Sequence, residues 1–213
     1  LSPLPARPNF RRVETAKDPR NNVTNYEYTA GTGTLARTLL PAVARPGQPN
    51  PVRPQQTFTY TTVGLLQQET DAEGRVTIYG YDGFGNLLER TVDAGAGRLN
   101  LKTTWTYDAA GNAITAVSPR GNVAGGTPAD FQTLSTYDAK RRLTRVRSNR
   151  LDDDTRYFYD PDDRVTQVRR LLTPASGGNP AVFQETTTAY TRTGKTQRVT
   201  DANGVQVSYA YDS

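Results

Sequence analysis

The sequence predicts an all-β protein, a tandem meander of antiparallel β-hairpins with about two short strands in each unit. Three observations predict this class: the composition, a recurring Tyr-Asp phrase, and turn residues at fixed distances from that phrase. The 213 residues are only 35% apolar, yet they include 12 Tyr, 18 Gly and 14 Pro. Such a chain can build only a thin core, and abundant Tyr and Thr with many turn residues favour short strands.

The Tyr-Asp phrase recurs along the whole chain, for example in "TIYGYDGFGN" and "TTWTYDAAGN". Its second aromatic residue defines eight anchor tyrosines, separated by 32, 21, 26, 30, 22, 31 and 21 residues. A period in this range indicates a repeat architecture with units of about 21–32 residues. The anchor tyrosines are Tyr28, Tyr60, Tyr81, Tyr107, Tyr137, Tyr159, Tyr190 and Tyr211.

A second aromatic position lies two residues before the anchor, where only Ser135 and Thr188 are not aromatic. Residues two apart on a strand point to the same face, so each unit should project a pair of rings from one side of the sheet. We expect successive pairs to form structural aromatic columns that pack against each other. The second column consists of Tyr26, Phe58, Tyr79, Trp105, Tyr157 and Tyr209.

Two kinds of turn are predicted. The first follows the anchor, with Asp at the next residue in five units and Gly four residues on in four units. Arg141 and Asp163 replace that Gly, so we expect those two turns to differ in shape. The second begins ten residues before the anchor, where Asp followed by Gly or Asn suits a type I turn with a bulge; Asn149 occupies this place once. The predicted turn positions are Asp18, Asp71, Gly74, Asp82, Gly85, Asp108, Gly111, Gly194, Asp201 and Gly204.

The longer units carry their extra residues in place of the second turn, as in "PAVARPGQPNPVRPQQ" and "TPASGGNPAV". One edge of the strip should therefore be uniform and the other should carry variable loops. No composition shift marks a domain boundary, so we predict one array over residues 1–213, with 1–12 as a lead-in and repeats over about 13–213. The chain does not begin with Met, which predicts a segment of a longer protein.

The phrases "YDGFGNLLERTVD", "YDAAGNAITAVSPRGN" and "TDANGVQVSYAYD" resemble the RHS or YD repeat, and the resemblance extends from about Val13 to Ser213. This repeat occurs in bacterial Rhs polymorphic toxins, in the C component of Tc insecticidal toxin complexes and in teneurins. The resemblance implies a hairpin strip that curls into part of a shell, which in the toxins encloses a toxic domain. It also implies a bacterial protein that is secreted or at the cell surface. The family's self-cleavage motif has no match in this sequence.

The sequence predicts no catalytic site and no metal or cofactor site. With no His and no Cys, the sequence excludes Ser-His-Asp and Cys-His sites, and we expect no enzyme activity, cofactor or metal. The acids from Asp160 to Asp163 fit only the first two places of a calcium loop. A glycosidase-type acid pair stays open from sequence alone. The net charge of +5 is interspersed with acids, and no apolar run is long enough for a membrane span, so neither nucleic acid nor membrane insertion is expected.

Three functions fit this pattern. The first is a non-catalytic wall segment of an RHS-type shell that encapsulates a toxin or other cargo in a larger secreted protein. The second is an extracellular fibre subunit whose open edge strands pair with identical chains, since unpaired strand edges template such pairing. The third is an adhesion or carbohydrate-binding scaffold of teneurin type. In each case the partners are neighbouring repeats of the same or identical chains, with an enclosed toxin in the first.

Overall fold

The computed structural model describes residues 12–44, 46–148 and 153–212. Short strands separated by turns account for most of this part of the chain, and the described residues contain no α-helix. The strands are β1 Thr15–Lys17, β2 Val23–Tyr28, β3 Leu35–Leu39, β4 Gln55–Tyr60, β5 Leu66–Thr70, β6 Val76–Tyr81, β7 Leu87–Val92, β8 Leu101–Tyr107, β9 Ala113–Val117, β10 Gln132–Tyr137, β11 Leu143–Ser148, β12 Asp153–Tyr159, β13 Val165–Thr173, β14 Val182–Tyr190, β15 Thr196–Thr200 and β16 Gln206–Ser208.

The strands form a sheet in which the spatial order follows the chain from β1 to β16. Every pair for which the register is described is antiparallel, from β1 with β2 to β15 with β16. This arrangement confirms the predicted class, an all-β meander of hairpins. Seven units, those of Tyr28 to Tyr190, contribute one strand that ends at the anchor tyrosine, called the aromatic strand below, and one return strand after the first turn; β16 ends at Ser208, before Tyr211.

The described residues fall into two compact parts, each of which contains several repeat units. One contains those of Leu1–Gly85 and Arg90–Leu101, and the other contains those of Asn86–Glu89 and Lys102–Ser213. Both parts contain the same kind of hairpin: β4 pairs with β5 in the first, and β12 pairs with β13 in the second.

A bulge interrupts the register immediately before the anchor tyrosine. In the β12–β13 hairpin, Phe158 pairs with Gln167 but Tyr159 pairs with Val165, so one residue of the return strand is skipped. Five other hairpins show the same irregularity before Tyr28, Tyr60, Tyr107, Tyr137 and Tyr190. The bulge increases local twist and re-aims the anchor side chain.

Most side chains in the described strands are half-buried rather than buried. Among the described residues Val117, at 8% exposure, is the one buried apolar side chain, and none is fully enclosed. Thr38, Asp154 and Thr155 are also buried. The stability of the sheet therefore depends on contacts between neighbouring strands more than on a central core.

The long loops lie where the return strand leads into the next aromatic strand, between β3 and β4, β7 and β8, β9 and β10, and β13 and β14. The β9–β10 loop contains two 3-10 helices, Pro119–Gly121 and Pro128–Phe131, and packs on the end of β9. A Cβ atom on Gly121 would lie 2.7 Å from Cγ1 of Val117 and 3.1 Å from Cβ of Phe131. Gly121 is therefore required for the close approach of this loop to the sheet.

No helix in the described part of the chain has the length and apolar character needed to cross a membrane.

Candidate functional site

The hydroxyl groups of the anchor tyrosines join each unit to the one before it. Tyr159, for example, donates a hydrogen bond of 2.7 Å to the carbonyl oxygen of Leu143, which is the sixth residue after the preceding anchor. Seven of the eight anchors make such a bond among the described residues, and this bond is called the tyrosine link below. The donor and acceptor pairs are Tyr28 and Val13, Tyr81 and Leu66, Tyr107 and Leu87, Tyr137 and Ala113, Tyr159 and Leu143, Tyr190 and Val165, and Tyr211 and Thr196.

A cation covers the ring face of several anchors. The guanidinium carbon of Arg142 lies 4.5 Å from the centre of the Tyr159 ring. Arg142 is the fifth residue after the preceding anchor, next to the carbonyl group that accepts the tyrosine link. The same relation joins Arg164 to Tyr190 at 4.9 Å and Lys195 to Tyr211 at 4.8 Å. Cation–ring contacts at exposed sites contribute about 0.5–1 kcal/mol each, so each adds to the link it covers.

The fourteen residues of the two predicted aromatic columns are partly exposed. Twelve are half-buried, and Tyr209 and Tyr211 near the end of the described chain are 47% and 45% exposed. The hydroxyl of Tyr79 donates to Glu69 at 2.8 Å, and burial together with this ionised partner raises the pKa of Tyr79 to about 12. Packing of one ring against the next remains a prediction.

The aspartates of both turns organise the backbone around them. In the second turn, Asp71 Oδ1 accepts hydrogen bonds from the backbone N–H groups of Glu73 and Arg75, while Gly74 N donates to Asp71 O. Gly74 has a φ of 77°, as required by a type I turn followed by a bulge. The first turn has the same construction at Asp108. Asp18, Asp82, Asp138, Asp160 and Asp201 accept corresponding backbone bonds, and Gly85, Gly111, Gly194 and Gly204 have positive φ.

The two first turns without Gly do not differ in shape, contrary to the expectation from the sequence. Arg141 and Asp163 have φ values of 64° and 65°, within the left-handed region that Gly occupies elsewhere. Left-handed backbone costs a residue with a side chain roughly 1–2 kcal/mol, so contacts must offset it. Arg141 donates to Asn112 at 3.2 Å and to the carbonyl of Ala110. Asp163 accepts from Arg142 at 2.7 Å.

The acids from Asp160 to Asp163, the candidate ligands of a calcium loop, bind basic side chains. Asp160 accepts from Arg164 at 2.7 Å, Asp162 pairs with Arg164 at 2.8 Å, and Asp163 pairs with Lys140 at 3.0 Å. The hydrogen bond from Lys140 is the largest of the influences that lower the pKa of Asp163. No group of three potential metal ligands is found within the described ranges. Asn149, predicted as a turn residue, lies outside the described residues.

A hollow of about 310 Å³ lies between the β5–β6 hairpin and the loop after β7. Its polar groups bind one another: Arg75 pairs with Asp71 and with Glu73, each at 2.7 Å, and Glu69 accepts the hydroxyl of Tyr79. The arrangement rigidifies the second turn of this unit.

Sequence reasoning missed the residues that fasten the long loops. Arg53, in the β3–β4 loop, donates to the carbonyl groups of Leu40, Val23 and Leu39 at 2.9–3.0 Å and to Oδ1 of Asn25 at 2.8 Å. No repeating pattern marks Arg53, because its loop is an insertion. The sequence does carry a sign of the tyrosine link, because all eight anchors are Tyr, whereas the position two residues earlier is Tyr, Phe, Trp, Ser or Thr.

This geometry defines a class of protein, a tandem β-hairpin repeat in which each unit is fastened to the next. Residues 60–98 match the sequence model of the RHS repeat. The chain thus contains a segment similar to the RHS repeat, and the hairpin of that segment recurs along the described residues. No curated protein matches the chain significantly.

Solved structures with the same fold contain Tc toxin proteins. The crystal structure titled TcdB2-TccC3-Cdc42 matches with a TM-score of 0.63 and 22% identity, and that of TcdB2-TccC3 with 0.61 and 22%. Each match covers 84% of this chain and 9% of that chain. The Photorhabdus luminescens Tc holotoxin pore with a substituted TccC3 matches with 0.54 and 19%, over 84% of this chain and 11% of that chain. The chain thus spans about a tenth of these proteins, and the similarity concerns the fold.

Proposed function

We propose that the chain is a non-catalytic wall segment of an RHS-type β-shell, which encloses a toxin or another cargo within a larger secreted protein. The observation that carries the proposal is the tyrosine link, present at seven of eight anchors. A wall must resist separation of neighbouring strands although it has no interior core. A hydrogen bond that spans from each unit to the previous one, often beneath a cation, meets that need.

The aromatic columns and turn residues are, in this proposal, parts of one repeated fastening. The ring of the anchor provides apolar contact area and its hydroxyl provides the link. In the units of Asp138 and Asp160, the Asp of the first turn also holds an arginine over the next ring. Asp138, for instance, accepts from Nε of Arg142 at 2.7 Å while Arg142 covers Tyr159. We also propose that residues of about 13–213 form a single array, since the same hairpin recurs throughout.

The absence of catalysis is part of the proposal. Asp154 and Asp160 are each held by an arginine, Arg145 and Arg164 respectively, at 2.7 Å. An acid–base pair needs one carboxyl group whose pKa is raised, and the pKa values of Asp154 and Asp160 are lowered. Burial alone would raise both, but hydrogen bonds from arginine outweigh it.

The enclosure of cargo can be tested by limited proteolysis of the natural polypeptide that carries this segment. The expected result is that the cargo resists protease in the intact protein and becomes cleavable when Tyr137 and Tyr159 are both replaced by Ala. Replacement of Tyr157 alone, which makes no tyrosine link, is the matched control. Cleavage of the cargo at equal rates in all three proteins would refute enclosure by this wall.

Electron microscopy of the purified chain at increasing concentration separates the shell from the fibre. A wall segment should give no regular assembly, whereas a fibre subunit should give filaments of constant width. Filaments would contradict the proposed function, because they would show that the edge strands pair between copies.

A further inference from the structure

Three arginines stand directly opposite one another on neighbouring strands. Arg145 of β11 pairs in register with Arg156 of β12, which pairs with Arg169 of β13. These three residues are called the arginine row. Like charges directly opposite in a sheet are destabilising, so the row requires anions nearby.

Among the described residues, two carboxylates on this face lie close to the row. Asp154, whose side chain is 9% exposed, lies beside the row and accepts from Arg145 at 2.7 and 2.8 Å and from Arg156 at 2.9 Å. Glu185 of β14 lies 2.7 Å from Nε of Arg169.

A fourth arginine extends the basic surface. Arg147 pairs in register with Asp154 and therefore lies on the same face, two residues from Arg145. It is exposed and has no ion pair among the described residues. Within the described residues, four arginines thus share two carboxylates on this face, an excess of two positive charges.

Aromatic side chains share this face with the arginines. The ring of Phe183 lies between Arg156, at 4.6 Å from its centre, and Arg169, at 5.0 Å. Phe158 is two residues from Arg156 on the same strand and is 41% exposed. Leu171 pairs with Phe183 across β13 and β14. Arginine next to exposed aromatic and aliphatic side chains is the composition enriched at protein–protein interfaces.

We propose that this face of β11–β14 binds an acidic segment of another polypeptide, with carboxylates at Arg147 and the arginine row and apolar side chains on Phe158. The guanidinium fork fits planar carboxylates in two-bond geometry, as it already does at Asp154. The interspersed Asp154 and Glu185 repel a continuous row of phosphates, whereas separate carboxylates can lie between them. The occupant is therefore an acidic peptide rather than a nucleic acid or a sulfated glycan.

The test measures fluorescence anisotropy of a labelled peptide of alternating glutamate and leucine, titrated with the full chain. Arg147→Gln should weaken binding about five- to tenfold, because one charge-assisted contact is lost. Arg192→Gln is the matched control, since it makes the same charge change at an exposed first turn outside this face. Phe158→Ser should also weaken binding, while a lysine–leucine peptide should not bind.

The melting temperature of each variant distinguishes lost binding from lost folding. Arg147→Gln should melt like the unmodified chain, because Arg147 has no ion pair to lose in the described structure. Equal affinities of Arg147→Gln and Arg192→Gln, or no binding of the acidic peptide at all, would overturn the proposal. Tighter binding of oligothymidylate or heparin fragments than of the peptide would overturn it in favour of a general polyanion site.

Discussion

Replacing Tyr159 by Phe removes the hydroxyl of one tyrosine link and leaves the ring in place. The bond to the carbonyl of Leu143 measures 2.7 Å, and both groups are half-buried. A hydrogen bond contributes about 1 kcal/mol net, and water can reach a half-buried carbonyl group, so the larger penalty for a fully buried acceptor does not apply. We expect a loss of about 1 kcal/mol in the free energy of unfolding, equivalent to about 2–4 °C in Tm for a chain of this size. Arg142 keeps its place over the ring.

Urea unfolding followed by circular dichroism measures this difference, and Tyr157→Phe is the matched control. Tyr157 lies two residues earlier on the same strand, and its hydroxyl has no hydrogen-bond partner among the described residues. Its replacement should change the free energy of unfolding by less than about 0.5 kcal/mol. If the two variants lose the same stability, or if Tyr159→Phe is as stable as the unmodified chain, the hydroxyl has no role in joining the units.

Three further predictions concern loops, turns and pH. Gly121→Ala should lower the free energy of unfolding by about 1–3 kcal/mol through overpacking, since its Cβ would lie 2.7 Å from Val117. Gly83→Ala is the control: it has open space and no positive φ, so the same urea unfolding should show almost no change. Gly74→Ala, also in open space but at a φ of 77°, should lower the free energy of unfolding by roughly 1–2 kcal/mol. An unchanged free energy of unfolding would contradict the described turn. The pKa of Asp138 is lowered, chiefly by the backbone N–H of Arg142, so its stabilisation is complete above the unfolded value of 3.8 and is lost as pH falls through the lower folded value. Unfolding midpoints measured from neutral pH to below about pH 4 should fall less steeply in Asp138→Asn, and equal slopes would refute this contribution.

The sequence predicts the hairpin meander well because its signals are local and repeated. An anchor such as Tyr107, followed by Asp108 and Gly111, contains in five residues the end of a strand and the turn that reverses it. The repeated spacing then determines the strand order, since each hairpin can pair only with its neighbours along the chain.

The contacts between units were less predictable, because they depend on which atoms the twist brings together. Arg141 illustrates the difficulty: its residue type argues against a left-handed turn, yet bonds to Asn112 and Ala110 in the preceding unit hold it there. Arg53 is comparable, since only the folded β3–β4 loop places its guanidinium group beside three carbonyl groups.

The constant partner of the tyrosine link has a consequence for how such a chain can change. Tyr81 lies 21 residues after Tyr60 and Tyr190 lies 31 after Tyr159, yet each hydroxyl finds the sixth residue beyond the previous anchor. The donor and acceptor of a link are therefore set by their positions within neighbouring hairpins and not by the number of residues between them. Insertions into the connecting segments of one edge can therefore add new surface while the seams that carry a tyrosine link stay as they were.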